Sequence, residues 1–421
     1  MKEAIILFED KQVKNLFPLT FTRPVYDLRC GIMTLGEKIR FDYPGKESIF
    51  FTRDYLQEVM KEAHPTHLVN DVPNDLEKAL FINGRVMENN LGHLLPFDGE
   101  DAVFKNGDVI IGARLSGDNL KKALGDLTRF VPEENLVGFP IKETEIKYIT
   151  YQWDLVSRNG EQIVVDFDRL VDRNKPMNLG KVYAGVNMIQ PNNIYIGKDA
   201  KIKPGVVLDA EEGPIYIGSG ATIMANAVIE GPCYIGEKTK IKVAAKIYEN
   251  TSIGPVCKVG GEVEESIIHS YSNKQHDGFL GHAYLGQWVN LGADTNNSDL
   301  KNNYGNVKVF INDEPVDSGS MFVGLTMGDH SKSGINTMFN TGTVAGFCAN
   351  IFGGGFPPKY IPSFAWGGAE GMVTYKLEKA IEVAERVMAR RDVELTEAGK
   401  KLFAKIFEMT KAEREKRNMD N

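Results

Sequence analysis

The sequence predicts an α/β domain, then a parallel β-solenoid built on a six-residue repeat, then a helical tail. Three observations carry this expectation. Strand-like and helix-like stretches alternate over residues 1–185, a branched residue recurs every sixth position through the middle of the chain, and an amphipathic run opens at Tyr375.

In the opening region "AIILFED" predicts a buried strand that ends on acids. "SIFFTRDYLQEVMKEAHP" predicts a strand and then a helix stopped at Pro65, and "DVIIGARLSGDNLKKAL" a strand, a loop and a helix. Strands alternating with helices imply a parallel sheet. The boundary is expected near "RNKPMNLGKVYAG", which separates a first domain, 1–185, from a solenoid over 186–356.

The solenoid rests on Ile217, Ile223, Ile229, Ile235, Ile241, Ile247, Ile253 and Val259, in unbroken six-residue spacing. Two residues before each of the last seven stands a small one: Ala221, Ala227, Cys233, Thr239, Ala245, Thr251 and Cys257. Six matches neither the helical nor the strand period. It fits a triangular coil of three short strands, with the branched residue inside and the small one at a corner. Such coils stack at about 4.8 Å and hydrogen-bond to each other. Gly218, Gly236, Gly254 and Gly260 follow the aliphatic position, where a positive φ is expected. The pattern begins at Ile196 and Ile202, breaks at 208–214, and resumes at Phe279, Leu285 and Leu291. After 300 it is irregular, and "FVGLTMGDHSKSGINTMFNTGTVAG" restores solenoid character. From 357 to 421 the expectation is helical. Leu377, Ile381, Ala384 and Met388 share one helical face, and Thr396 caps a second helix.

Composition narrows the function. A net charge of −8 without a lysine–arginine block argues against nucleic-acid or polybasic membrane partners. No apolar run is long enough for a bilayer, and "MKEAIILFEDKQ" lacks the features of a signal peptide. Cys30, Cys233, Cys257 and Cys348 lie far apart, as expected of reduced thiols in a cytoplasmic protein.

"IYIGSGATIMANAVIEGPCYIGEKTKI", "GHAYLG" and "NLGADT" resemble the bacterial bifunctional family that joins UDP-N-acetylglucosamine pyrophosphorylase to glucosamine-1-phosphate N-acetyltransferase. "LFEDKQVKNLFPLTFTRPVYDLRCGIMTLGEK", "YQWDLVSRNGEQIVVDFDRL" and "PSFAWGGAEGM" resemble a divergent branch of it, described as sugar nucleotidyltransferases. The resemblance implies a nucleotide-diphosphosugar-transferase-like α/β domain, a left-handed parallel β-helix and a homotrimer. It also implies acetyl-CoA as acyl donor, Mg²⁺, and a sugar phosphate and a nucleotide as substrates, in the supply of cell-envelope sugars.

Acyl transfer from a thioester to an amine needs a base. By the resemblance His282 in "HAYLG" is that base, Tyr284 and Asn290 hold the sugar, and Asn296, Asn297 and Lys301 form the substrate loop. Asn273 and Lys274 in "HSYSNKQHDG" are further candidates, the lysine for a phosphate. The loop "TNNSDLKNN" and the short distance from His282 to "NLGA" depart from the family pattern, so the acceptor sugar stays open. For nucleotidyl transfer the family's Gly-x-Gly-x-Arg loop is absent after the first strand. Arg23, Arg29, Gly31, Lys38 and Arg85 are the candidate nucleotide contacts, and Asp154 the candidate metal ligand. Three alternatives stay open: a first domain that binds nucleotide without catalysis, a non-catalytic scaffold, and a zinc hydratase of the carbonic anhydrase kind. The last would use histidines from among His269, His276, His282 and His330.

Overall fold

A computed structural model describes residues 2–125 and 130–419, and its contacts separate two compact units. The first comprises Met1–Leu16, Thr22–Leu28 and Met33–Thr150; the second comprises Phe17–Phe21, Arg29–Ile32 and Tyr151–Asn421. This division falls earlier than the one expected near 173–185, for a physical reason. The helix Asn159–Leu170 buries Ile163 and Phe167 against Tyr234 of the solenoid, beside the half-buried Tyr195 and Tyr216. The far boundary also moves. Strands Tyr360–Ile361 and Ala365–Gly368 continue the solenoid ladders past residue 356.

The first unit is one seven-stranded sheet in the order Leu68–Val69, Glu47–Phe50, Glu3–Phe8, Lys78–Asn83, Val109–Ser116, Ala102–Asn106, Ile141–Glu143. The first four strands are parallel, but Val109–Ser116 runs antiparallel to both neighbours. The sheet is therefore mixed where a parallel one was expected. The cause is legible in "AVFKNGDVIIG", a hairpin in which Asn106 pairs with Val109 and Gly107 turns at φ +59°.

In the second unit all eight branched residues of the six-residue row are at most 1% exposed. Ile217 lies opposite Ile235, Ile223 opposite Ile241, and Ile229 opposite Ile247, each in parallel register on its own wall. This three-walled coil is consistent with a left-handed β-helix of the hexapeptide type. We number the walls by their strands in one coil: first Thr251–Ile253, second Lys258–Val259, third Glu262–Glu264. The small residues fill corners as expected, and hydroxyls there also bridge coils. The Thr239 hydroxyl donates to the Gly254 carbonyl (2.7 Å) and accepts from the Cys257 N–H (3.0 Å).

Two details correct the expectation. Gly218, Gly236, Gly254 and Gly260 are not left-handed; positive φ falls two residues after the first three, at Gly220, Lys238 and Val256. These glycines are needed because coils touch there: a Cβ on Gly254 would lie 1.8 Å from the His269 carbonyl oxygen. At the resumption, Leu280 fills the interior and Phe279 is half-buried. The shift goes with a turn through Gly278 at φ +115° and with Lys274 standing in register with the interior Val259.

After Asn297 the chain leaves the coil and returns at Val323. Its hairpin, Lys308–Ile311 with Glu314–Asp317, packs Val307, Val309 and Ile311 with Trp153 and Val344. The first wall passes this point as nine continuous strands, whereas the ladders of the second and third walls are interrupted after Asn273–Lys274 and Phe279–Gly281 and parallel strands resume in separate sheets. Asparagine side chains take over there. The Phe279 N–H donates to Asn296 Oδ1 (2.8 Å) and the Gly281 N–H to Asn297 Oδ1 (2.9 Å). Helices Leu377–Ala389 and Glu397–Met409 follow, the second capped by Thr396 and setting Phe403 edge-to-face against His330 and Phe347.

Candidate functional site

His282 occupies the corner between the third and first walls, at φ +45°. Its N–H donates to the Glu264 carbonyl of the preceding coil (3.2 Å). Both arms of the excursion close on its ring. Asp299 on the outgoing arm places Oδ2 2.9 Å from Nδ1, and Phe322 on the returning arm stacks at 5.0 Å between ring centroids. The Val323 N–H donates to the Asp299 carbonyl (2.9 Å), tying the arms together. A Cβ on Gly281 would lie 2.4 Å from Asp299 Oδ2, which accounts for the glycine before the histidine.

On the other side of the ring, Glu265 Oε2 lies 3.4 Å from Nε2 and its Oε1 accepts from Asn250 Nδ2 at 3.2 Å. Burial pushes the imidazole pKa down, but the Asp299 hydrogen bond and the charges of Glu265, Asp299 and Glu264 outweigh it. The result lies above the ordinary histidine value. In earlier coils the same corner borders a cleft of about 520 Å³ lined by carboxylates including Glu161, Asp209, Glu230 and Glu249. Burial, then Glu249 and Asp209, raise the Glu230 carboxyl. Asp299 fixes the tautomer by accepting from Nδ1–H, which leaves Nε2 to exchange a proton.

The other candidates are placed as follows. Asn296 and Asn297 bond to the backbone under His282, as described above, and Lys301 donates to the Asn306 carbonyl on the excursion. Tyr284 is 1% exposed; its hydroxyl accepts from the Arg29 N–H (3.0 Å) and donates to the Arg29 carbonyl (3.1 Å). Asn273 and Asn290 pair on the second wall, away from the His282 corner. Lys274 is buried and donates to the Gly260 (2.9 Å) and His276 (3.1 Å) carbonyls, and burial lowers its pKa to about 8. The side chain expected to meet a phosphate thus caps carbonyls inside the coil.

Arg23, Lys38 and Arg85 belong to the first unit, Arg29 and Gly31 to the second. Arg85 is 1% exposed, with Nε 3.0 Å from Asp10 Oδ1 and a further bond to the Ile149 carbonyl (2.6 Å). Arg23 and Lys38 are buried, and the Arg23 carbonyl accepts from Arg53 (2.8 Å). Arg29 lies over the Tyr234 ring and donates to the Ile32 carbonyl. Gly31 turns at φ +81°, and a Cβ there would lie 2.5 Å from Asp166 Oδ2. Asp154 caps its own helix by accepting from the Tyr151 N–H (3.0 Å). Among the described residues no group of three or more His, Cys, Asp or Glu side chains within one chain could hold a metal ion. The sequence reading missed Glu264, Glu265, Asp299 and Phe322. Counting back one coil of three repeats from His282 would have led to the neighbourhood of Glu264 and Glu265, although this coil is one residue short.

The profile of a family described as "Sugar nucleotidyl transferase" matches residues 5–175, which spans the first unit and the helices that pack on the coil. The class is thus a nucleotidyltransferase-like α/β region joined to a β-helix of hexapeptide repeats. The chain is 29% identical over 191 residues to "Bifunctional protein GlmU" of Azoarcus sp. (strain BH72), covering 38% of this chain and 40% of that protein. It is 29% identical over 244 residues to the "Bifunctional sugar-1-phosphate nucleotidylyltransferase/acetyltransferase" of Sulfurisphaera tokodaii, covering 53% and 59%. Over these stretches the chain is similar, at the level of a divergent and distant relative, to this GlmU-like bifunctional family. It spans less than two thirds of the length of either relative. Among solved structures, a "UDP-N-acetylglucosamine acyltransferase from Campylobacter jejuni" matches at 12% identity and TM-score 0.27, over 53% of this chain and 95% of that one. The coil described above rests on its own registers and not on that likeness. Among the described residues no helix is long and apolar enough to cross a membrane.

Proposed function

We propose that the chain transfers an acyl group from a thioester, acetyl-CoA by family, to the amino group of a sugar phosphate, with His282 as general base. The observation that supports this best is the His282–Asp299 pair at 2.9 Å on a corner ringed by Glu264 and Glu265. Carboxylates attract an amine in its ammonium form, and neutral Nε2 then removes the proton that keeps it from attacking. As the C–N bond forms and the C–S bond breaks, the imidazolium returns that proton to the leaving thiolate, and the new amide nitrogen sheds its second proton to solvent.

The first unit is proposed to hold a uridine nucleotide or its sugar. Open α/β sheets bind ligands beyond the carboxyl ends of their strands, and Glu9, Asp10, Arg53, Asn83 and Arg85 stand at or just beyond those ends. Uridylyl transfer there remains the further reading that the family supports. The assembly is proposed to be a cytoplasmic homotrimer serving cell-envelope sugar-nucleotide synthesis.

The test is a pH profile. A base must be neutral, so kcat/KM should rise with pH through a pKa above the ordinary histidine value. Asp299→Asn removes the bond and charge that raise that pKa and leaves burial, which lowers it. The acid limb should therefore move to lower pH while the plateau falls. An unmoved limb in this variant would separate His282 from the rate.

A further inference from the structure

The second wall carries a concentration of cations that the acyl-transfer site does not use. Lys240 and Lys258 stand directly opposite each other in parallel register, and Asn273 continues the row. Lys242 follows just past the strand Lys240–Ile241. At the end of helix Leu377–Ala389, Arg391 donates to Asn273 Oδ1 at 3.0 Å, which anchors the Arg390–Arg391 pair at this row. Arg390 is exposed.

Like charges set opposite each other on a sheet destabilise it, and proteins ordinarily relieve them with carboxylates. This chain has carboxylates in excess, 57 acidic against 49 basic residues. Nearby Lys238 and Lys246 are paired, with Glu237 (3.0 Å) and Glu262 (3.1 Å). None of Lys240, Lys242, Lys258, Arg390 and Arg391 joins an ion pair among the described residues. The repulsion is felt at the centre of the group. Burial, then Arg391, Lys240, Arg390 and Lys242, hold the Lys258 ammonium below its ordinary pKa. The Arg391 Nε is buried with no hydrogen-bond partner among the described residues. Further down the wall Lys181 and Lys203 lie against the Tyr183 ring, at 4.7 and 4.3 Å from its centroid, and are not part of the group.

Three lysines on a wall and two forked guanidinium groups at the helix end beside it match closely spaced doubly charged oxyanions. A single carboxylate would answer only part of this set. We infer that the second wall, at the end of helix Leu377–Ala389, binds a ligand carrying two or more phosphate groups. The wall faces away from the corner that holds His282, so this inference does not rest on the acyl-transfer reading.

The test is calorimetry on the full chain with pyrophosphate and, separately, inorganic phosphate. Pyrophosphate should bind, more tightly than phosphate and less tightly as salt rises. Lys258→Ala combined with Arg390→Ala should weaken it by roughly 100-fold, about tenfold for each lost charge-assisted contact. Arg390→Gln alone changes an exposed side chain, so a loss of about tenfold there reads the site without disturbing the fold. His282→Asn should bind pyrophosphate like the parent. Coenzyme A and UTP distinguish the sources: tighter coenzyme A assigns the wall to an acyl donor's phosphates, tighter UTP to a nucleotide, and either supports the inference. No pyrophosphate binding by the parent chain overturns it, as does undiminished binding in both variants. A change in oligomeric state in the variants without any phosphate binding also overturns it, and makes the wall a protein interface.

Discussion

Replacing His282 with asparagine should lower acyl transfer by roughly 10²- to 10⁴-fold, the range that a positioned general base supplies, while the thermal transition stays near that of the parent. Asparagine is the informative substitution because position 282 lies at φ +45°, a conformation that asparagine tolerates and most side chains resist. His282→Ala should remove the same activity at some added backbone cost. The imidazole is held by Asp299 at 2.9 Å and Glu265 at 3.4 Å, both polar and partly solvated. Its removal therefore leaves a space lined by these carboxylates on its edges, with Phe322 on one face. Rates from amino-sugar phosphates and acetyl-CoA, with melting curves alongside, check both halves of the expectation. Retained activity would place the base elsewhere, and a collapsed melting curve would make His282 a structural residue.

The largest effect on stability is expected from Gly254→Ala. Its new methyl group would sit 1.8 Å from the His269 carbonyl oxygen and 2.8 Å from the His269 carbonyl carbon. Both are backbone atoms, so no side chain can swing aside, and two coils would have to separate. That places the variant at or beyond the upper end of overpacking costs, about 3 kcal/mol. A marked drop in the melting midpoint, or loss of soluble protein, is the expected result. A parent-like midpoint would show that neighbouring coils yield more easily than their registers imply.

Much of the coil was legible because a solenoid interior asks for one branched residue per short strand, and Ile217 to Val259 supply it without interruption. The asparagines after His282 were visible as a cluster. Their work, replacing backbone pairing under Phe279 and Gly281, became visible only with the excursion that interrupts the third wall. Periodicity assumes constant coil length, and so it put Phe279 inside where the shortened coil puts Leu280. The same slip hid Lys274, which stands in an interior register yet looks like a surface lysine in sequence. Asp299 was beyond reach for a related reason: which residue meets His282 depends on where the chain leaves the coil. In the first unit, reading each strand with the helix after it passed over Ala102–Asn106, the outgoing arm of a two-residue hairpin.

The unequal continuity of the three walls bears on how the rod comes apart. Neighbour-coupled repeats transmit cooperativity only as far as their interfaces are uniform. Here one wall runs through as nine strands while two give way to side-chain bonds and isolated bridges around Asn273 and Asn297. Amide exchange should therefore resolve two foldons, with the protons on either side of this seam released at different free energies. The corner that holds His282 lies at the junction. The motion nearest the candidate base would then be the breathing of a weak joint between two stiff segments, and substrate bound there would be felt as a rise in protection of both.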